Sequence, residues 1–228
     1  MVLQQNATVA VWGTADPGTE MEVTLADSTS SCVADGAGRW STRISTPGAG
    51  GPFELVVSTT QAGGPRIAFS DVLIGEVWLC SGQSNMEWSV KGSSFADREI
   101  SAAAQHPLIR LCRVERNASV TPLEEVVRVI GWDVCSPQTV PEFSAVAYAF
   151  ARHYQQATGI PVGLVEAAWG GTSAEAWTDV AALNAVPELA PLMQHWNETE
   201  PAAEPNQPGN LFNGMIAPLA SFRFAGVL

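Results

Sequence analysis

Charged residues are scarce in this sequence. They make up 15% of its 228 residues, and the balance is acidic, with 23 Asp and Glu against 11 Lys and Arg. No run of lysine or arginine occurs, so the sequence lacks the positive surface that attracts nucleic acid or anionic lipid. Nor does any window approach the roughly 20 consecutive apolar residues of a transmembrane helix. The composition therefore argues against both nucleic acid and membranes as partners.

Cysteine and histidine patterns typical of metal sites are also missing. The four cysteines and three histidines form neither a C-x-x-C pair nor a metal-ligand spacing, so we predict no metal site. A disulfide between Cys112 and Cys135 stays open, although no pattern supports it. The first residues lack the basic and apolar regions of a signal peptide. A processed precursor would have lost such a segment, so the compartment stays open, with a secreted or periplasmic location of the full-length protein as one option.

Residues 1–74 are rich in short, partly alternating apolar runs. Gly and Pro contribute 20 and 15 residues to the chain, and many of them separate these runs as turn signals. Short strands about a dozen residues apart, with turn residues between them, are typical of antiparallel sandwiches. We therefore predict a small antiparallel β-sandwich domain over residues 1–74. The runs are Thr8–Gly13, Met21–Leu25, Arg39–Ile44 and Phe53–Ser58.

The pattern changes near residue 74 to one of strands alternating with helices. The clearest helix is predicted over Ser144–Thr158, with Ser144 as its N-cap and Gly159 closing it. Ile160–Ala168 follows as a nearly continuous apolar strand, which is typical of a parallel sheet that is covered on both faces. Residues 75–228 are therefore predicted to form a layered α/β domain.

A candidate nucleophile lies directly after the first strand of that domain. Val77–Cys80 is apolar and leads into the small polar residues 81–85, which would expose Ser84 at the end of a rigid strand. Such a position suits an acyl-transfer nucleophile, because the free N–H groups of the next turn can stabilise an oxyanion. Met86 stands where the G-x-S-x-G elbow of α/β-hydrolases has its second glycine. The alternative is that this stretch is an ordinary polar loop.

The segment around Ser84 resembles a known family over fourteen consecutive residues. Gly75–Trp88, GEVWLCSGQSNMEW, is similar to the nucleophile segment of the sialate O-acetylesterase family, a branch of the SGNH hydrolases. The resemblance implies an SGNH-hydrolase-like α/β domain preceded by a β domain. It also implies hydrolysis of O-acetyl esters of sialic acids through an acetyl-enzyme on Ser84, with no metal or organic cofactor. Further matching segments are Ser144–Arg152, Pro161–Leu164, Trp169–Thr172, Glu175–Trp177 and Phe212–Leu219.

The same resemblance implies an oxyanion hole built from the nucleophile's N–H, a glycine N–H and an amide side chain. Gly171 is the first candidate for the glycine and Gly170 its rival, although both also fit a plain strand-to-helix turn. Gln83 and Asn213 are candidates for the amide or for substrate binding, and Asn213 is alternatively a turn or cap residue. Glu175 is expected either to bind substrate hydroxyls or to cap the next helix.

The sequence offers no evident general base for Ser84. SGNH hydrolases supply their histidine from an Asp-x-x-His segment, and no such segment occurs in these residues. We therefore expect the sequence to be a fragment whose catalytic histidine lies beyond residue 228. Three alternatives stay open: an acetylxylan-type polysaccharide deacetylase, a catalytically silent carbohydrate-binding fragment, and a complete enzyme that recruits His106, His153 or His195. The oligomeric state is not predicted.

Overall fold

The computed structural model describes residues 1–198 and 202–228 and combines mixed sheets with short helices. The strands are β1 Val2–Gln4, β2 Thr8–Thr14, β3 Glu20–Leu25, β4 Ser28–Val33, β5 Arg39–Ser45, β6 Gly50–Thr59, β7 Arg66–Gly82, β8 Ile109–Val114, β9 Val129–Val134, β10 Val162–Ala168 and β11 Gly226–Val227. The α-helices are α1 Ser84–Glu87, α2 Ala96–Ala102, α3 Ala145–Thr158, α4 Val180–Asn184 and α5 Ala190–Asn197. Short 3-10 turns and the π-helical turn Phe212–Ile216 complete the elements.

Strand β7 connects the two halves of the chain. Its first half pairs antiparallel with β6, and residues 73–75 also pair with β1. Its second half pairs parallel with β10 on one side and with β11 on the other. The strand changes from exposed to buried at Val72, where the apolar run begins. Ser84 therefore follows the carboxyl end of a strand that has parallel neighbours on both sides.

The N-terminal strands form two antiparallel layers around one apolar core. Strands β2 and β5 form a two-stranded sheet, while β3, β4 and β6 continue the sheet of β7. Both layers contribute to the same cluster of buried side chains, among them Val9, Ile44 and Leu55. Because β7 runs unbroken through residue 74, the layers share a strand with the α/β region. A separate sandwich domain is not confirmed, and the boundary between residues 74 and 75 stays a prediction.

The parallel α/β region has the elements that the sequence predicted. Helix α3 begins after Ser144, whose hydroxyl accepts the N–H of Ala147, and it ends at Gly159 with φ of 72°. Every residue of β10 is buried, as expected for a strand between two parallel partners, β7 and β8. Strand β9 lies antiparallel at the outer side of β8 and is mostly exposed.

All four cysteines are free, so the possible bridge between Cys112 and Cys135 is not formed. Burial raises the pKa of Cys80, Cys112 and Cys135 to about 12, which keeps these thiols protonated near neutral pH. They therefore behave as small apolar side chains. Within the described residues, no helix combines the length and apolar character needed to span a bilayer.

An ion pair joins β7 to β8 beside the junction of the two halves. Asp71 has φ of 56° and presents its carboxylate to Arg110, whose Nη2 donates to both oxygens at 2.9 and 3.0 Å. The Arg110 side chain is 6% exposed, whereas that of Asp71 is 53% exposed. Arg110 thus depends on this carboxylate, because a buried guanidinium cannot be solvated by water.

We predict that Asp71→Asn lowers the free energy of unfolding by about 1–3 kcal/mol, since it leaves the buried Arg110 charge without its counter-ion. Asparagine tolerates positive φ, so backbone strain should contribute little. Urea titration monitored by tryptophan fluorescence measures the change. The matched control is Glu54→Gln, which removes the carboxylate of an ion pair with Arg66 that is about half exposed. Equal effects of the two substitutions would contradict the prediction.

Candidate active site

Ser84 lies exposed at the start of a single helical turn. Strand β7 ends at Gly82, and α1 spans Ser84–Glu87 with Gln83 as its N-cap residue. The side-chain oxygen Gln83 Oε1 accepts the backbone N–H of Ser84 at 2.7 Å. Met86, two residues further in the same turn, is buried and anchors the turn in the core. The apolar strand and the buried methionine thus fix the backbone, while the serine hydroxyl faces solvent.

The loop after β10 lies directly beside this turn. Ala168 is in register with Gly82, and the N–H of Trp169 donates to the carbonyl of Gly82 at 3.1 Å. Residues 169–173, here called the glycine loop, follow at the carboxyl edge of the parallel sheet. The predicted proximity of Ser84 and the two glycines is therefore present in the structure.

Three hydrogen-bond donors from two elements converge on one oxygen atom. Gln83 Oε1 accepts the N–H of Ser84 at 2.7 Å and the N–H of Gly171 at 3.3 Å, and it also accepts the Ser84 hydroxyl. An amide oxygen held by two backbone N–H groups next to a serine hydroxyl occupies the kind of position that an oxyanion takes in acyl transfer. The side chain of Gln83 therefore acts as an acceptor at this point, not as a donor.

The two glycines make different contacts. The N–H of Gly170 donates to Glu87 Oε2 at 2.8 Å, so it is turned away from the oxygen that Gly171 contacts. Gly170 is close to the nucleophile all the same, since a Cβ atom there would lie 3.6 Å from Ser84 Oγ and 2.7 Å from Glu87 Oε2. Gly171 has φ of 80°, a conformation that suits glycine. The geometry favours Gly171 over Gly170 as the oxyanion donor.

The amide of Asn213 has other partners. Its side chain is buried, and Nδ2 donates to the carbonyls of Ser119 and Val120, both at 3.1 Å. Both amide hydrogens are therefore used to hold the 119–120 loop, and the geometry gives no support to Asn213 as an oxyanion donor. These bonds also reach a loop that is distant in sequence, so they hold two segments together and are not those of a local turn or cap.

Glu175 lies half-buried in the first turn of the 3-10 helix Ala174–Trp177. Its carbonyl oxygen accepts the N–H of Gly209 at 3.0 Å and that of Thr178 at 3.3 Å. A role of its carboxylate in binding substrate hydroxyls stays a prediction.

The three histidines lie on elements other than the Ser84 turn. His106 is buried ahead of β8, at the opposite end of the parallel sheet from Ser84, and contacts Gln155 Oε1 at 3.3 Å. Seven residues of strand separate the two edges, which is about 20 Å. His153 is exposed on α3 and His195 is exposed on α5, where its ring contacts Trp196. Among the described residues, the side-chain partner of Ser84 Oγ is Gln83.

Comparison with known proteins gives the family. Residues 74–195, just over half of the chain, match the family model described as carbohydrate esterase, sialic acid-specific acetylesterase. This chain belongs to that family. It is also 32% identical to sialate O-acetylesterases from Pongo abelii and Homo sapiens, in alignments that cover 100% of this chain and 46% of each relative.

The fold comparison agrees with this family of carbohydrate esterases. The crystal structure of a carbohydrate acetylesterase from Xanthomonas citri matches with a TM-score of 0.85 and 33% identity, over 99% of this chain and 48% of that one. The chain thus spans about half the length of these relatives. The resemblance seen in the sequence is confirmed, as is an α/β carbohydrate esterase fold with a mixed sheet.

Two residues that contact the candidate site were not predicted from the sequence. Glu87 accepts from Gly170 and is also paired with Arg116, whose guanidinium lies 5.6 Å from the centre of the Trp169 ring. Glu87 stands in the segment that resembles the family, three residues after Ser84, which places it on the same side of one helical turn. Arg116 comes from the loop after β8, and no local pattern links it to Ser84.

A buried carboxylate supports the sheet close to the site. Glu166 is 4% exposed in the middle of β10 and accepts the N–H of Ser144 at 3.2 Å and Nε of Arg113 at 3.4 Å. Burial raises the pKa of Glu166, and the neighbouring Arg113 and the Ser144 N–H offset part of this effect. The folded protein therefore holds a proton on Glu166 up to a higher pH than the unfolded chain does.

The raised pKa predicts a pH-dependent stability. Between the ordinary glutamate value of about 4.3 and the higher folded value, the folded state binds the proton more strongly, so this contribution to stability is lost as pH rises. Glu166→Gln removes the contribution. We expect the free energy of unfolding of Glu166→Gln, relative to the parent protein, to rise from pH 4 upwards in urea titrations. A flat or falling difference for Glu166→Gln would contradict the prediction.

Proposed function

We propose that this protein is a carbohydrate O-acetylesterase that uses Ser84 to hydrolyse acetyl esters of sialic acids. The observation that carries the proposal is the convergence of the Ser84 and Gly171 N–H groups on one oxygen beside the Ser84 hydroxyl. Two backbone donors that meet beside a hydroxyl match the requirement of serine acyl transfer, in which negative charge develops on one carbonyl oxygen.

The proposed reaction proceeds in two steps on Ser84. The Ser84 oxygen attacks the acetyl carbonyl, and the developing oxyanion takes the place of Gln83 Oε1 between the N–H groups of Ser84 and Gly171. The sugar alcohol leaves with a proton, and the acetyl group stays on Ser84 as an ester. Water then attacks this acetyl-enzyme and releases acetate, which regenerates the serine.

The reaction needs a general base that takes the Ser84 proton. The family resemblance assigns this role to a histidine of an Asp-x-x-His segment, and residues 1–228 contain no such segment. His106 is an unsuitable substitute, since the parallel sheet separates it from Ser84. We propose that the proton is accepted by a histidine outside these 228 residues.

The names of the relatives support the substrate class. Two of them are sialate O-acetylesterases, and the similar solved structure is a carbohydrate acetylesterase. Acetylated carbohydrate is therefore the proposed substrate, and sialic acid its proposed sugar.

Release of acetate from O-acetylated sialic acid tests the proposal, with acetylated xylan as the comparison substrate. Ser84→Ala should reduce the rate of acetate release by at least about 10³-fold, because no other group at this site forms the acyl-enzyme. Ser81→Ala, in the same segment but outside the proposed site, should keep the parent activity. In a form of the protein that releases acetate, equal release by its Ser84→Ala variant would contradict Ser84 as nucleophile, and faster release from xylan would contradict the sialic acid specificity.

This test also locates the base. Ser84-dependent release by residues 1–228 alone would mean that a histidine within them serves, and it would contradict a base outside them. If only a longer form of the protein releases acetate, and its Ser84→Ala variant does not, the proposed arrangement is supported.

A second prediction concerns Gln83, whose oxygen competes with the substrate carbonyl for the two N–H groups. Gln83→Ala should lower the KM for the acetyl ester about fivefold, since the substrate no longer displaces hydrogen bonds worth about 1 kcal/mol. Steady-state kinetics beside the control Asn85→Ala, an exposed neighbour in the same turn, measure the change. A raised KM would instead mean that Gln83 binds the substrate.

A further inference from the structure

The glycine loop is held to the Ser84 turn by two side chains of that turn. Gln83 Oε1 accepts the N–H of Gly171, and Glu87 Oε2 accepts the N–H of Gly170 at 2.8 Å. Gln83 and Glu87 flank Ser84, and the N–H of Glu87 donates to the carbonyl of Gln83 at 2.9 Å, which closes the turn. When a substrate oxygen replaces Gln83 Oε1, the bond that Gly170 donates to Glu87 remains as the side-chain link between the turn and the loop.

Glu87 is itself fixed by Arg116. The guanidinium donates to Glu87 Oε1, the oxygen that Gly170 does not use, so the two carboxylate oxygens have separate partners. The same guanidinium lies 5.6 Å from the centre of the Trp169 ring. Arg116 therefore contacts both Glu87, which accepts the N–H of Gly170, and Trp169, which precedes Gly170 in the chain. Charge-assisted hydrogen bonds of this kind are stronger than neutral ones and restrict geometry.

The contact between Glu87 and Gly170 leaves no room for a side chain. A Cβ atom at residue 170 would approach Glu87 Oε2 to 2.7 Å and Ser84 Cα to 3.5 Å. The loop thus packs directly on the nucleophile's own backbone. Because successive N–H groups are joined by one peptide unit, fixing the N–H of Gly170 on Glu87 also restricts where the N–H of Gly171 points.

We propose that Glu87, braced by Arg116, is a positioning residue that orients the Gly171 N–H towards the oxyanion. The inference rests on the proposed function and deepens it. The carboxylate of Glu87 is bonded to the Gly170 N–H and to Arg116, whereas Ser84 Oγ is bonded to Gln83. We therefore expect the loss of Glu87 to slow the chemical step and to leave substrate binding largely unchanged. A misplaced donor is less effective in the transition state, where the charge is greatest.

The kinetic test compares Glu87→Ala and Glu87→Gln with the control Glu142→Gln. Glu142 and Glu87 line one cleft, and Glu142 forms an ion pair with Lys91 at 2.5 Å. No hydrogen bond joins the Glu142 side chain to the glycine loop among the described residues. We expect Glu87→Ala to lower kcat by about 10- to 100-fold with KM changed less than about threefold. Glu87→Gln keeps one acceptor oxygen for Gly170 and should recover part of this loss. A kcat equal to that of the control would overturn the inference.

Amide hydrogen exchange followed by NMR provides a readout that needs no turnover. Loss of the bond to a carboxylate should accelerate exchange at Gly170 by about tenfold or more in Glu87→Ala, with faster exchange at Gly171 as well. Unchanged exchange at both glycines would overturn the inference whatever the activity. Faster exchange with unchanged kcat would also overturn it, since Glu87 would then only hold the loop.

The two proposals fail in different ways. Acetate release that does not depend on Ser84 would contradict the proposed function, while the exchange rates of Gly170 and Gly171 would still decide whether Glu87 fixes the loop. Ser84-dependent release with a Glu87→Ala variant as active as the control would leave the proposed function intact and overturn the role of Glu87.

Discussion

The parallel pairing of β7 with β10 is the constraint on which the candidate site depends. It sets Gly82 opposite Ala168, so the segments that leave the two strands start side by side at one edge of the sheet. Alternate side chains of the two strands pack into two different apolar clusters, so a shift of register by one residue would exchange the side chains that the two clusters receive. The position of the Ser84 turn relative to the glycine loop is therefore determined by packing energy far larger than that of any single contact in the site.

At the edge of these paired strands, the candidate site is a small network of hydrogen-bond donors and acceptors. Three donors converge on the oxygen of Gln83, and the carboxylate of Glu87 takes the remaining glycine N–H. Nearly all of these groups come from two loops at neighbouring strand ends. Such an arrangement is pre-organised, because the backbone donors are already directed at one point before a substrate arrives. Ligand sites in parallel α/β sheets are commonly found at this edge for the same reason.

The positive side chains on β8 and in the loop after it are arranged in compensated pairs, two near the candidate site and one beside the junction of the two halves. Glu87 is paired with Arg116, Glu166 with Arg113, and Asp71 with Arg110. In each pair a loop or strand residue meets one from β8 or the segment that follows it. Strand β8 and the loop after it therefore supply the positive partner of each of these three carboxylates. Three of the 11 Lys and Arg residues of the chain therefore form these ion pairs.

Much of this was already determined by the sequence. The apolar strand before Ser84, the fourteen-residue segment around it, the capped helix α3 and the buried strand β10 depend on local patterns, and these patterns identified both the family and the edge of the sheet where the site lies. The candidate glycines followed from the same reasoning, because a loop after a buried parallel strand must reach that edge. The sequence could not distinguish Gly170 from Gly171, since two adjacent glycines have the same local signal.

Only the tertiary structure decided which groups meet. It turned the N–H of Gly170 to Glu87 and that of Gly171 to Gln83, committed the amide of Asn213 to a neighbouring loop, and brought Arg116 from the loop after β8. It also carried β7 without a break from the antiparallel layers into the parallel sheet. The physical reason is that hydrogen-bond partners far apart in sequence are selected by the packing of whole elements, and the local pattern of residues contains no information on where a distant loop will lie.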